Sequence, residues 1–216
     1  MYRRFPPESH RRREQRFERR EDALIVLDYL ELGNPTDIHP EHRNQPFLQG
    51  LGEKYFTLLE ATPLPAIRVD IFEIIDLTPP SKVKRIIPVS YSELTSVARA
   101  NLPEAVKIIL TQKEKLFVEF FNIAEPINIR IHALELLPEI GKKTMQQILD
   151  ARRKEPFKSF QDIRERVRVD PVKALVGRIV KEIEGGEKYY LFVRHREGEG
   201  LYLGYLERMY ASGGLP

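Results

Sequence analysis

Leu137-Pro138-Glu139-Ile140-Gly141-Lys142-Lys143 is the stretch on which the reading of this chain turns. Upstream, Ile127, Ile131, Leu134 and Leu137 recur at intervals of four and three, which predicts an amphipathic helix running into it. Downstream, Met145, Ile148 and Leu149 predict a second helix running out. Pro138 ends the hydrogen bonding of the first helix, Gly141 allows a backbone conformation or close approach that a Cβ would block, and two lysines open the second. A helix that begins here offers unpaired backbone NH groups and the positive end of its dipole. Such a turn suits a phosphate, so the backbone of a nucleic acid is the expected ligand.

Outward from the turn, residues 127–185 read as helices in two pairs. The first pair ends near Arg152-Arg153-Lys154, before Pro156. A third helix runs from Ser159, its capping residue, to Val167, with Phe160, Ile163 and Val167 as its apolar stripe. A fourth follows Asp170-Pro171, carries Val172, Leu175, Val176, Ile179, Val180 and Ile183, and stops at Gly185-Gly186. On the N-terminal side, Ser90 and Glu93 form a capping box for a helix over Tyr91 to Ala100. Pro103 is placed as the first residue of another, reaching Asn122. Phe117, Phe120 and Phe121 fall on its apolar stripe and are read as core.

Before Ser90 the pattern is of short strands: Ala23 to Glu31, Lys54 to Glu60, Ile67 to Leu77 and Lys82 to Val89. Breaks are expected at Gly33-Asn34-Pro35, Gly50 to Gly52, Thr62 to Pro65 and Thr78 to Pro80. Strands of this number and length predict a small barrel or a strongly curled sheet, with an OB-like β-barrel as the first reading. Tyr29, Tyr55, Phe56 and Phe72 are read as barrel core in preference to a base-stacking platform. One more strand is expected over Lys188 to Val193. The fold class is therefore α+β, a small OB-like barrel followed by an all-α helical domain. The expected divisions are a basic arm at 1–20, the barrel at 21–90, connecting helices at 91–126, the helical domain at 127–185 and a C-terminal strand and tail at 186–216.

Charge is segregated along the chain. Residues 1–20 carry 8 Arg and 3 Glu, residues 21–126 carry 10 basic and 16 acidic side chains, and residues 127–185 carry 13 basic and 9 acidic. Cationic charge thus gathers on the arm and around the quoted turn, where a polyanion gains from it, while the barrel region is acidic. The chain has 42% hydrophobic residues, enough for a core, and no cysteine, which excludes disulfides, thiolate catalysis and cysteine zinc sites. A cytoplasmic protein that does not span a membrane is the expectation.

The run Ile127-Asn128, Leu134 to Lys143, Ile148 to Arg152 and Pro156 to Ile163 resembles the helix-hairpin-helix domains of DNA-binding and competence proteins. With Glu21 to Asp28 and Tyr55 to Glu60 included, residues 21–193 resemble an archaeal family of uncharacterised proteins predicted to join an OB-like barrel to a C-terminal helix-hairpin-helix domain. The resemblance implies that Ile140, Gly141, Lys142, Lys143 and Thr144 hold backbone phosphate, Lys142 and Lys143 adding charge, and the basic Arg152 and Arg153 at the end of the second helix are assigned to nucleic-acid binding with them. It also implies grip without base readout, hence sequence-independent binding of DNA or RNA. Two departures stand out: Glu139 occupies a position that is usually glycine, and the turn Arg168-Val169-Asp170 between the third and fourth helices has no glycine.

Two other readings are carried. One is a protein-interaction scaffold with a protein partner at the acidic barrel. The other is a metal-dependent nuclease using Asp70, Glu73 and Asp76, disfavoured because on a strand Glu73 points away from the other two. His39 and His42 lie in a loop and are read as surface residues, and His132 as a packing or surface residue. No catalytic residue, metal ligand or cofactor is assigned.

Overall fold

Leu24 to Leu27 are apolar without alternation, as expected of a strand covered on both faces. In the computed structural model, which describes residues 21–34, 43–195 and 200–212, that run builds β1 (Ala23–Leu30). The arginine-rich arm and both loop histidines, His39 and His42, lie outside the described residues. β1 is joined by β2 (Phe47–Gly52), β3 (Leu58–Pro63), β4 (Ile74–Asp76) and β5 (Val83–Pro88) in one sheet of order β4-β1-β2-β3-β5. All of its pairings are antiparallel.

The sheet curls into a half-barrel and does not close. β4 and β5 lie at its opposite edges, and an ion pair between Glu73 and Lys82 links the segments that lead into them. Leu24, Val26, Leu48, Leu59, Ala61, Val69, Ile75 and Val83 fill the half-barrel, while Ile25, Leu27, Leu51, Phe56 and Leu58 face the helices. β2 runs through the glycines expected to break the chain. A Cβ on Gly50 would meet Leu24 Cδ1 at 2.7 Å and the Ile25 carbonyl at 3.0 Å, so glycine serves close strand approach here, not a turn.

Ser90 and Glu93 do form a capping box, but for a single 3₁₀ turn at Tyr91–Glu93. The helix that follows, α1 (Ser96–Gln112), is capped by Thr95 and continues through Pro103, which sits inside it and does not begin it. Its N-terminus is fastened to the sheet: Thr95 Oγ1 donates to Asp28 Oδ2 at 2.6 Å, and Asn101 Nδ2 donates to the Leu27 carbonyl at 2.9 Å. The chain then breaks at Lys113, whose ammonium bonds the Glu53 carbonyl at 2.9 Å, and α2 (Glu114–Ile123) follows. α3 (Lys142–Lys154), α4 (Phe160–Val167), α5 (Pro171–Glu184) and α6 (Tyr205–Ser212) complete the α-helices among the described residues. α6 was not foreseen, and the strand expected after Lys188 is the short β6 (Tyr189–Tyr190), paired in parallel with β7 (Leu201–Tyr202).

One hydrophobic cluster extends from Ile25 in β1 to Met209 in α6. Its aromatic spine runs from Phe56 to Phe117 at 6.0 Å, from Phe117 to Phe192 at 6.2 Å, and from Phe120 to Phe192 at 5.0 Å and to Tyr205 at 5.1 Å. The stacking-platform residue Phe56 is thus core, and the phenylalanines of α2 join sheet to helices as expected.

The helix expected to enter the hairpin is absent. Pro126 and His132 form an antiparallel bridge, and the intervening loop leaves Ile129 fully exposed. Asn128 is the cause: its Oδ1 accepts from the amides of Arg130 at 2.8 Å and Ile131 at 3.1 Å, a local alternative to helical hydrogen bonding. Only a 3₁₀ turn, Ala133–Leu136, remains before the hairpin.

Candidate nucleic-acid interface

The hairpin is built from the inside out. Leu137 and Ile140 are buried and anchor the turn, and the Ile140 amide donates to the Leu137 carbonyl at 3.2 Å. Between them Glu139 takes a left-handed conformation, φ 68°, which favours glycine, the residue usual at this position in the hairpins this turn resembles. Gly141, the N-cap of α3, is extended at φ −88°, ψ 179°, and a Cβ there would meet nothing within 4 Å. Gly141 thus needs neither the special backbone conformation nor the close approach that the sequence allows it. The structure places the special conformation at Glu139 and leaves Gly141 facing open space.

No side chain caps α3. Among the described residues nothing accepts from the amides of Gly141, Lys142, Lys143 and Thr144, whereas Thr95, Ser159 and Asp170 cap α1, α4 and α5. Lys142 and Lys143 are exposed beside these amides, and Thr144 is half-buried. Of the residues assigned to phosphate binding, Ile140 contributes only the burial that fixes the turn, its amide being already used.

Arg152 and Arg153 fall elsewhere. They lie about 16 Å along the helix axis from Lys142, at 1.5 Å per residue. The Arg152 guanidinium turns inward and donates to the carbonyls of Phe121 at 2.9 Å and Ala124 at 2.8 Å, closing the C-terminus of α2. Arg153 is exposed and pairs with Asp150 at 3.4 Å. Neither lies beside Lys142 and Lys143 at the start of the helix.

Two residues near the hairpin were missed on sequence. Lys173 of α5 reaches across to Glu139, with Nζ 2.5 Å from Oε1, and this bond raises the lysine's pKa. Gly177, one turn further along α5, brings that helix against the hairpin, since a Cβ there would stand 3.1 Å from Pro138 Cγ. Asp170 caps α5 by accepting from the amides of Val172 at 3.1 Å and Lys173 at 3.3 Å. Burial opposes its ionisation, but the Lys173 amide, the Arg164 guanidinium and the Val172 amide outweigh it and hold the carboxyl below its ordinary value. Asp170 Oδ1 also receives Arg164 Nη2 at 3.1 Å.

The 3₁₀ turn that feeds the hairpin rests on His132, which is buried. Its Nδ1 accepts from the Leu134 amide at 3.2 Å, so the ring is neutral at that nitrogen. Burial first, and then the Arg152 charge, pull its pKa below the ordinary 6.5. A group whose folded pKa is depressed in this way favours the fold while neutral and disfavours it once protonated. Stability is therefore fully present above pH 6.5 and falls as the pH drops through that value toward the folded pKa. His132→Asn keeps an acceptor at the cap and is expected to flatten this part of the stability profile, measured by urea melts across that range. An unchanged profile would remove His132 as its source.

The other candidates do not assemble. Asp76 accepts from the Thr78 amide at 2.7 Å and hydroxyl at 2.6 Å, and Glu73 accepts from the Asp70 amide at 3.1 Å and pairs with Lys82. Among the described residues no three His, Asp or Glu side chains converge as metal ligands, and no helix is long and apolar enough to cross a membrane.

Among the described residues, an antiparallel half-barrel packed with six helices, one of which starts uncapped beside two exposed lysines, defines the class: an α+β protein. The chain belongs to the protein family of unknown function DUF655, whose family model matches residues 20–194. It is 37% identical over 202 residues to "Uncharacterized protein MJ0038" of Methanocaldococcus jannaschii, covering 90% of this chain and 87% of that one. The crystal structure of Af1531 from Archaeoglobus fulgidus, of the same family, superimposes with a TM-score of 0.72 at 39% identity, covering 81% of this chain and 100% of that one.

Proposed function

We propose that this protein binds the sugar-phosphate backbone of nucleic acid without reading base sequence, through the turn Glu139 to Thr144 acting as a helix-hairpin-helix element. One observation carries the reading. The start of α3 leaves its amides unengaged in the same setting in which, at α5, the amides of Val172 and Lys173 hold a carboxylate oxygen. The equivalent donors on α3 are Lys143 and Thr144, the second and third residues of the helix, with the ammonium groups of Lys142 and Lys143 beside them. Amides and dipole position one phosphate oxygen, and the lysines add counterion release. Nothing here reaches a base edge, so the grip is indifferent to sequence. The sheet is read as an OB-like barrel left open between β4 and β5, with its strand order as the support.

The test is fluorescence anisotropy with a labelled oligonucleotide at about 50 and 200 mM salt. Lys142→Glu with Lys143→Glu is expected to weaken binding at least tenfold and to reduce the slope of log affinity against log salt by about two. Glu139→Gly moves the other way, since it removes a carboxylate from beside the phosphate and restores the residue suited to a left-handed backbone. Unchanged affinity in the charge-reversed protein would show that the hairpin is not the contact.

A second reading, a protein-docking scaffold, has one observation in its favour. β5 is an edge strand that exposes Ile86 and Ile87, 37% and 41% accessible, a surface suited to strand addition by a partner. Partners retained from a nuclease-treated lysate, and lost on Ile87→Lys, would favour it over the first.

A further inference from the structure

The turns before α3 and α5 share a backbone plan. Each places a left-handed residue, Glu139 at φ 68° or Arg168 at φ 56°, two positions before an N-cap, Gly141 or Asp170. They differ in what fills the anion position. At α5 it is occupied from within: Asp170 Oδ1 accepts from the Val172 and Lys173 amides and from Arg164 Nη2, and Pro171 has no NH to offer. At α3 the corresponding amides meet no acceptor among the described residues.

A phosphate approaching α5 would therefore confront a carboxylate that already holds the donors it needs, and the like charges repel. The second turn cannot take a phosphate in the way the first can. Its contribution runs toward the first turn instead, because the α5 residue Lys173 extends to Glu139, 2.5 Å away, and offsets the one acidic side chain at the hairpin tip. Simultaneous grip of the two strands of a duplex by this pair of turns requires an open anion position at each, and only the first presents one.

We propose, resting on the phosphate-binding reading above, that the protein grips nucleic acid by a single backbone strand, so that a duplex gains nothing over a single strand. Asp170 is the specificity-determining residue, a built-in anion that closes the second turn. Lys143 and Thr144 are the donors that remain.

The experiment measures competition between a single-stranded oligonucleotide and the duplex of the same sequence, using the full chain. The wild-type protein is expected to bind both within about threefold, per strand, at equal salt. Asp170→Gly copies the arrangement at Gly141 and opens the second turn. A second simultaneous contact should raise duplex affinity about tenfold or more, and single-strand affinity less than about threefold. Asp170→Ser, which keeps a helix cap but removes the carboxylate, is expected to shift the ratio in the same direction and serves if the glycine variant does not fold. A wild-type preference for duplex above about tenfold, or a ratio unmoved by opening Asp170, overturns the single-strand grip. The reading of the hairpin itself is judged separately: if Lys142→Glu with Lys143→Glu still binds both forms as wild type does, the hairpin is not the contact. If that variant loses both forms while wild type prefers duplex, only the single-strand grip fails.

Discussion

Replacing Glu182 by alanine is expected to lower the unfolding free energy by about 3–5 kcal/mol, the cost of leaving a buried charge and its donors uncompensated. Glu182 is fully buried on α5, and its carboxylate gathers four donors. Oε1 accepts from Arg178 Nε at 2.7 Å and the Leu191 amide at 2.7 Å, and Oε2 accepts from the Phe192 and Val193 amides, both at 2.8 Å. Burial pushes this carboxyl up, against the pull of Arg178 and the three amides. Alanine strands those amides and leaves the Arg178 guanidinium with Glu187 and the Tyr189 carbonyl alone. Removing Arg178 as well is not expected to rescue the fold, because the amides remain unpaired. Glutamine is no substitute either, since its NH₂ must point at donors on one side. The effect should spread. Residues 191–193 carry Phe192, which packs on Phe117 and Phe120 of α2, and the end of α2 is where Arg152 ties α3. Thermal melts of Glu182→Ala and Glu182→Gln are the measurement, and a midpoint shift on the order of 10 °C is expected for a chain of this size. A shift of a degree or less would mean that the cluster is not the anchor described.

Gly141→Asp is expected to stabilise the fold slightly while reducing nucleic-acid affinity at least tenfold. Gly141 has the extended backbone of an N-cap, and a Cβ meets nothing within 4 Å, so the new side chain enters without strain. It would do at α3 what Asp170 does at α5, accepting from the amides of the second and third helical residues. A cap in place of glycine contributes a few tenths of a kcal/mol, and a carboxylate at the positive end of the dipole adds about 0.3–1 kcal/mol. The same carboxylate would fill the proposed phosphate position and offset the positive charge of Lys142 and Lys143. Opposite movement of stability and binding is the signature of a position left uncapped for a ligand. Anisotropy titration and a melt on one preparation decide it: lower stability, or binding that survives the substitution, would contradict the proposal.

The parts of the fold that were legible in sequence are those held by interactions within a few residues. Ser159 capping α4, Asp170-Pro171 opening α5 and Gly185 closing it are local events, and the apolar run of β1 marks a strand buried on both faces. Errors arose where a local signal had two physical meanings. Gly50 resembled a break but serves close packing against Leu24 and Ile25. The spacing of Ile127, Ile131 and Leu134 resembled a helix, but Asn128 captures the amides that the helix needed. Pro103 resembled a helix start, although α1, fastened to the sheet through Thr95 and Asn101, passes through it. Strand count alone leaves a small barrel and a strongly curled sheet both open, and the strand order, with β4 and β5 at opposite edges, decides for the curled half-barrel.

At the candidate site the division follows the same rule. Sequence by itself determined that Gly141, Lys142 and Lys143 open a helix with cationic side chains beside its amides, because a helix start is defined by adjacent residues. Tertiary structure decided which of those groups are available. Arg152 is spent on carbonyls 28 and 31 residues away, and Glu139 meets Lys173 across 34 residues. The left-handed backbone at Glu139 is likewise fixed by the burial of Leu137 and Ile140 on either side of it. Such contacts exist only once the helices are packed, since the entropy of closing long loops must first be offset by the common core.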